Sequence, residues 1–382
     1  MLNIGGMLSL GVFVNGRELP MYAGGFEEVI IVQNVALHVP QFRIIYLDSS
    51  DIISRMTPII DGTPISIRMG IPNSDEAPYE FQFRSFSSPL QNTSSGPRAK
   101  YTIAGFLDTM RYLRGSAEGG KRGTSAQAIE EIANRCGLES LVDPTNDEMM
   151  WLSGSTSHCK WAAQVASHGW KDERSLMKHG LDEKKILHYA NITDRIIAEP
   201  KATFWVAAQP QNPRTPLLHV HKWTPKSRAG ILNNMFNYGS RLVEQSNSGA
   251  TEVTGNVQAT LISGNLEINK DLREQIGTVR REYVPPPSGN QHPKYNIARY
   301  QNEKLQAAFS TKLEVTIAQP GNLTLFDPVE VYISSESGSS QLYSGKYIVT
   351  AKARYATGTM YYEKYELCSQ GRQADPGDQM VG

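Results

Sequence analysis

IIDGTPISIRM (residues 59–69) and LFDPVEVYI (residues 325–333) share one plan. In each, a bulky apolar residue precedes Asp61 or Asp327, a turn containing Gly or Pro follows, and apolar and polar residues then alternate. Period-two alternation behind a turn former marks a half-buried strand. Asp suits such a turn because its carboxylate accepts nearby backbone N–H groups. Both aspartates are therefore expected to shape turns, and not to act as a carboxylate pair for acid–base work. The likeness continues downstream: FQFRSFS and KYTIAGFL follow the first copy, GKYIVTAKARY and EKYELC the second. One strand-rich unit is expected twice.

Outward from the first copy, residues 8–115 read as strands punctuated by Pro, Gly, Asn and Asp, which predicts a small antiparallel barrel or sandwich. Val35, Leu37 and Val39 alternate up to Pro40 and read as one of these strands. The period changes at TSAQAIEEIANRCG (124–137), where Thr124 and Gln127 form a capping-box pattern and Gly137 suits the position just past the helix end. A second helix is expected through SHCKWAAQVASHG (157–169), with Trp161, Ala162, Val165 and Ala166 inward. ATFWVAAQ (202–209) and LLHVHKW (217–223) return to strands. VPPPSGNQHP (284–293) is a loop, YNIARYQNEKLQAAF (295–309) a helix, and 313–368 a run of alternating strands.

The chain has 382 residues, more than one ordinary core holds. It is 40% hydrophobic and 20% charged, a globular composition. Lys+Arg and Asp+Glu are equal at 38 each, so nothing in the bulk charge attracts nucleic acid or an anionic membrane. The three cysteines form no CxxC and no disulfide framework. The N-terminus lacks a basic region before its apolar run and breaks at Asn15–Gly16, so it reads as a strand and turn and not as a secretion leader. No stretch reaches the length of a membrane span.

Sites of chemistry are weakly signalled. His158, His168, His179 and His188 cluster in sequence with Cys159, but their spacing does not converge on a metal. His219 and His221 share one strand face without an evident third ligand. GSAEGGKRGT (115–124) resembles a phosphate loop at a glance, but Lys121 is followed by Arg122 where the motif needs Ser or Thr, and it reads as a flexible basic linker. No catalytic, cofactor-binding or metal-ligating residue is assigned, and no cofactor is expected.

LEVTIAQPGNLTLFDPVEVYI and SGKYIVTAKARYATGTMYYEKYELC, with TSAQAIEEIANRCGL and a Trp-containing helix upstream, resemble the central baseplate hub proteins of contractile-tailed bacteriophages. These include the late-control-D type and the hub-like N-terminal part of type VI secretion spike proteins. The resemblance implies a mainly β chain with an α+β insert. It sets two tail-tube-like antiparallel β-barrels beside a small α+β domain. The implied division is a first barrel at 1–118, an α+β domain at 119–226, a second barrel at 227–265 and 306–370, an irregular insertion at 266–305 and a flexible tail at 371–382. It further implies a structural, non-enzymatic homotrimer that joins a hexameric tail tube to a trimeric central spike. Expected partners are the tube protein, a separate spike protein and other baseplate proteins, with DNA only as passing cargo. The expected place is the virion tail baseplate, after assembly in the host cytoplasm and without membrane insertion. In such a ring Glu314, Thr316, Glu330 and Thr350 are expected to face the lumen, which should carry few basic residues. The competing readings are a tube-end or distal tail protein and, further off, a cell-wall hydrolase.

Overall fold

The computed structural model describes residues 9–20, 25–48, 52–55, 59–70, 79–86, 90–92, 99–210, 213–228, 241–252, 281–309, 311–334, 343–357 and 360–369. The first stretch contains β1 (Ser9–Val14), β2 (Arg17–Glu18), β3 (Phe26–Asn34), β4 (Gln41–Asp48), α1 (Ile52–Arg55), β5 (Pro64–Gly70), β6 (Tyr79–Ser85), β7 (Leu90–Asn92) and β8 (Ala99–Leu107). The α+β unit follows with α2 (Met110–Arg114), β9 (Gly120–Gly123), α3 (Ser125–Cys136), β10 (Glu139–Val142), β11 (Met149–Leu152), α4 (His158–His168), β12 (Met177–Leu181), β13 (Ile186–Asn191) and α5 (Ile192–Ile197). Then come β14 (Thr203–Val206), β15 (Leu217–His219), β16 (Lys222–Arg228), β17 (Arg241–Ser246), β18 (Gly249–Glu252), β19 (Arg281–Val284) and α6 (Tyr295–Ala308). The last strands are β20 (Thr311–Ile317), β21 (Pro328–Ile333), β22 (Gly345–Thr357) and β23 (Met360–Ser369).

The chain is mainly β with an α+β insert, as expected, and its large sheet curls as a half-barrel. The sheet has two wings. In the first wing the order is β1-β5-β6-β8-β4-β3, and in the second it is β14-β21-β22-β23-β20-β16. Taken in chain order within each wing, these are the same arrangement. Every neighbouring pair is antiparallel except β14–β21, which is parallel where β1–β5 is antiparallel. The opening pair of sequence segments sits at matching places, ahead of β5 and β21.

The wings are not separate bodies. β22 pairs with β21 at its start and with β3 beyond it, from Ala351↔Asn34 to Ala356↔Val29. A single sheet of 15 strands therefore runs through both wings. Each wing buries its own apolar face: Val12, Ile31, Ile44, Ile65, Ile67 and Phe83 in the first, Phe204, Leu313, Val315, Val331, Val349 and Leu367 in the second. The first core continues into α3 and α4 through Ile129, Ile132 and Trp161.

Local elements follow their signals. Thr124 Oγ1 accepts from Gln127 N (3.3 Å), Gln127 Oε1 accepts from Thr124 N (3.1 Å), and Gly137 closes α3 at φ 68°. Such a cap stabilises a helix by about 1 kcal/mol. Asn15 and Gly16 both have positive φ, as a tight hairpin turn requires.

Several expectations are corrected. Val35–Val39 lies in the turn between β3 and β4, because the β3–β4 ladder ends at Val32↔Gln41 and β3 itself at Asn34. Gly120–Gly123 is a strand paired with β11 and not a flexible linker. The α+β unit ends with α5 at Ile197, because β14, β15 and β16 hydrogen-bond into the second wing. β17 and β18 leave the second barrel to make a small sheet with β19. Helix α6 lies partly inside the supposed irregular insertion and docks on α4: Asn302 Nδ2 donates to Ser167 O (3.0 Å), and Tyr295 stacks on His168 at 3.7 Å. The expected tail at 371–382 lies outside the described residues.

Candidate functional site, the junction of the two wings

β22 carries the junction. A bulge lies between Val349 and Ala351. Before it, Tyr347 and Val349 face the second core; after it, the same face is taken by Lys352, Arg354 and Ala356. A bulge shifts the two-residue period by one, so two cations enter the interior beyond the end of an apolar core. Lys352 and Arg354 are each only 2% exposed.

Burying a charge is costly unless it is paired and hydrogen-bonded. Here two acids answer the two bases. Arg354 donates to Glu183 through Nη2 (2.6 Å) and Nε (2.9 Å), and to Glu363 through Nη1 (2.5 Å). Lys352 Nζ lies 3.4 Å from Glu183 and 3.6 Å from Glu363, and donates to Leu323 O (3.1 Å). Tyr361 and Tyr365 donate their hydroxyls to Glu363, as does Gly321 N (2.9 Å). The Arg354 guanidinium lies over the Tyr79 ring, 4.7 Å from its centroid. Burial raises the Glu183 carboxyl, but Arg354 and Lys352 outweigh it and hold the group at about 2. Burial also pushes Glu363 up, and the same two cations bring it below the usual range.

Three parts of the chain meet here. Glu183 comes from the tight turn between β12 and β13 of the α+β unit, and its backbone N–H donates to Gln33 Oε1 of β3 (2.8 Å). The adjacent Asp182 accepts from Thr324 Oγ1 (3.0 Å) and sits 2.9 Å from His188 Nε2. Tyr79 belongs to the first wing and donates to Asn322 of the loop before β21. The cluster thus fastens both wings and the insert at one neutral point. Its chemistry is that of a joint, because its charges are mutually satisfied.

The residues singled out from the sequence are dispersed. His158 Nδ1 is held by the carbonyls of Arg111 and Gly115 (both 3.1 Å), and Cys159 Sγ faces Leu113 O (3.6 Å). His168 stacks on Tyr295, and burial lowers it to about 4. His179 is half-buried, and desolvation lowers it to about 4. His219 and His221 do share a face, with ring centroids 4.7 Å apart. Among the described residues no group of three His, Cys, Asp or Glu side chains could hold a metal ion. Among them, too, no helix is long and apolar enough to cross a membrane.

Asp61 is an exposed turn residue, whereas Asp327 is buried, accepts from Thr324 N (2.9 Å) and pairs with Lys201 Nζ (2.6 Å). Of the proposed lumen residues, Glu314 and Thr316 alternate with buried Leu313, Val315 and Ile317, so they lie on the sheet's outer face. Thr350 is the bulge residue and donates to Glu366 Oε1 (3.0 Å), and Glu330 is exposed. Lysines lie beside them: Lys226 and Lys364 reach Glu314 (3.1 and 3.9 Å), and Lys312 reaches Glu366 (3.5 Å). These lysines are charge-paired.

The sequence reading missed the junction. Its signal was K-x-R in one strand of a hairpin facing E-x-Y in the other, with Arg354 opposite Glu363 and Lys352 opposite Tyr365. Strict alternation sent the cations to the surface, because the bulge at Thr350 is not marked by a glycine.

No protein-family model matches the chain, and no curated protein matches it in sequence. Its fold is similar to that of solved tail proteins. The 43 kDa tail protein of prophage MuSo2 from Shewanella oneidensis superposes with a TM-score of 0.60 at 10% identity, covering 94% of this chain and 98% of that one. The tail protein from Neisseria meningitidis MC58 gives 0.58 at 11% identity, covering 95% and 97%. A chain of the Francisella PdpA–VgrG complex gives 0.52 at 8% identity, covering 98% of this chain and 55% of that one.

Proposed function

We propose that this chain is the structural hub of a phage tail baseplate, a homotrimeric adaptor between a hexameric tail tube and a trimeric central spike. The observation that carries the reading is the repeated strand order of the two wings. Three chains with two like wings present six like surfaces, so a three-fold ring can meet a six-fold tube. Such a ring is closed and head-to-tail. The likeness of fold to tail proteins over nearly the whole chain supports it. The two wings are then two tube-like domains, and the outer face with Glu314, Thr316 and Thr350 lines a conduit. Its paired lysines leave few phosphate contacts to arrest passing DNA. The work is done by interfaces and not by catalysis, with the tube protein, a separate spike protein and other baseplate proteins as partners, in the virion.

The test is the mass of the purified protein, alone and with its tube and spike partners, together with a low-resolution image of the assembly. A trimer with a central channel is expected. A hexameric ring would favour a tube-end protein, and a persistent monomer or a ring without a channel would end the hub reading. Release of sugars or peptides from cell walls would favour a hydrolase.

A further inference from the structure

The joint that binds the wings within one chain has an unused counterpart. Counting along the chain, β3 is the second strand of the first wing's order and β16 the second of the second wing's. Likewise β22 is the fifth strand of its wing, and its equivalent is β6 continued by β7. β6 and β7 pair in succession with one neighbour, β8, as β22 pairs along β23. β3 and β22 are zipped together. Among the described residues, β16 pairs only with β20, and β7 only with β8. Among the described residues the two edges that correspond to the closed joint are therefore open.

We propose that β16 of one copy pairs antiparallel with β7 of the next, repeating the internal β3–β22 joint between chains and closing the ring. The occupant is a second copy because the complementary edge is already built into the same chain, and open edges otherwise invite uncontrolled pairing. The proposal rests on the hub reading and adds the strands and register.

The register follows from equivalent ladders. Pro64↔Arg84 and Arg84↔Phe106 in the first wing match Pro328↔Ile348 and Ile348↔Cys368 in the second. Gln91↔Tyr101 then matches Arg354↔Glu363, and Asn92 takes the place of Tyr355. On the other strand, Gln41↔Phe106 matches Lys312↔Cys368. Arg43 therefore matches Glu314, and since Ile30 pairs with Arg43 and Thr224 with Glu314, Ile30 falls at Thr224. Since Ile30 stands opposite Tyr355, Thr224 should stand opposite Asn92 of the next copy. Pro225 follows, a residue tolerated in edge strands because it withholds one ladder donor. The interchain ladder is therefore expected to be shorter than the internal one.

The experiment is oxidative cross-linking of the full-length double variant Thr224→Cys/Asn92→Cys, assembled with its tube and spike partners. Opposed residues of an antiparallel pair lie close enough for a disulfide. Covalent dimers and trimers are expected, with none from Thr224→Cys/Arg84→Cys, which is far out of register. A trimer by mass that yields no interchain disulfide, or equal cross-linking by both variants, overturns the strand pairing and leaves the hub reading standing. Absence of any trimer in the unmodified protein overturns both.

Discussion

The two wings use one turn and two chemistries. Ahead of β5, Gly62 N donates to Ser85 O, Ser85 N to Thr63 O, and Thr63 N to Ile60 O; ahead of β21, Phe326 N donates to Val349 O, Val349 N to Asp327 O, and Asp327 N to Thr324 O. Gly62 (φ 82°) and Phe326 (φ 64°) hold the same left-handed conformation. Thr63 Oγ1 accepts from Ile60 N as Asp327 Oδ2 accepts from Thr324 N. So the partner of Asp327 is Thr63 and not Asp61. What differs is the interior past the bulge. Ile103 stands in the first wing where Tyr365 stands in the second, and only the second admits a charged cluster. The connection between the second and third strands differs as well: residues 35–40 turn directly in the first wing, while 229–310 intervene in the second. A shared backbone plan thus tolerates unlike fillings provided that the ladder and the turn are kept.

The comparison can be broken at several points, the largest effect first. Glu183→Gln leaves Arg354 and Lys352 short of one buried counter-charge. It is expected to cost about 3–5 kcal/mol, read as a lower denaturant midpoint, with the second wing and the joint affected before the first. The pH dependence should identify the same group. Glu183 titrates near 2 when folded against an ordinary 4.5, so its contribution is complete above 4.5 and is lost as pH falls toward 2. Half-buried His168 and His179 stay neutral down to about 4 against an ordinary 6.5, so stability falls first between 6.5 and 4 as the unfolded chain takes up protons. Glu183→Gln should shrink the lower step, leaving the part carried by Glu363, and retain the upper.

The next position is one the wings fill in opposite ways. Gly105 pairs with Phe42 as Leu367 pairs with Leu313. Leu367→Ala is expected to cost about 2–5 kcal/mol by leaving a cavity. Gly105→Ala should cost about 1–3 kcal/mol by crowding, because a Cβ there would meet Arg84 O at 1.9 Å. Unfolding midpoints of both variants test whether the wings are equally intolerant. The smallest effect is at the turn: Thr63→Ala removes one hydrogen bond and should cost about 1 kcal/mol, and Asp327→Ala somewhat more because Lys201 also loses its partner.

Much of this was legible from short patterns. Thr124, Gln127 and Gly137 announced α3 because capping is local chemistry, and alternation announced β5, β20, β21 and β23 because each buries one face. The repeat was visible, although its registration on Asp61 was off by two residues: a hydroxyl and a carboxylate can accept the same N–H, so residue identity misleads where hydrogen-bond role does not. The junction was hidden for two reasons. The bulge at Thr350 inverts the period, and Glu183 reaches Arg354 from a turn distant in sequence. Pairing of β3 with β22 was hidden for the same reason, since ladder partners that far apart leave no trace in either strand alone.

That ladder sets a schedule for biosynthesis. Asn34 and Ala351 are partners, so 317 residues separate them along the chain (351 − 34). At ribosomal rates this is roughly 16–60 s of elongation. Throughout that time the emerging first wing carries β3 with one bare edge, a surface that another nascent copy can claim in place of the chain's own last hairpin. The hazard is an exchanged dimer locked before its own C-terminus arrives, and it grows with the crowding of ribosomes on one message. Slower initiation, or a chaperone that covers β3 until residue 357 has emerged, would raise the yield of correctly closed chains.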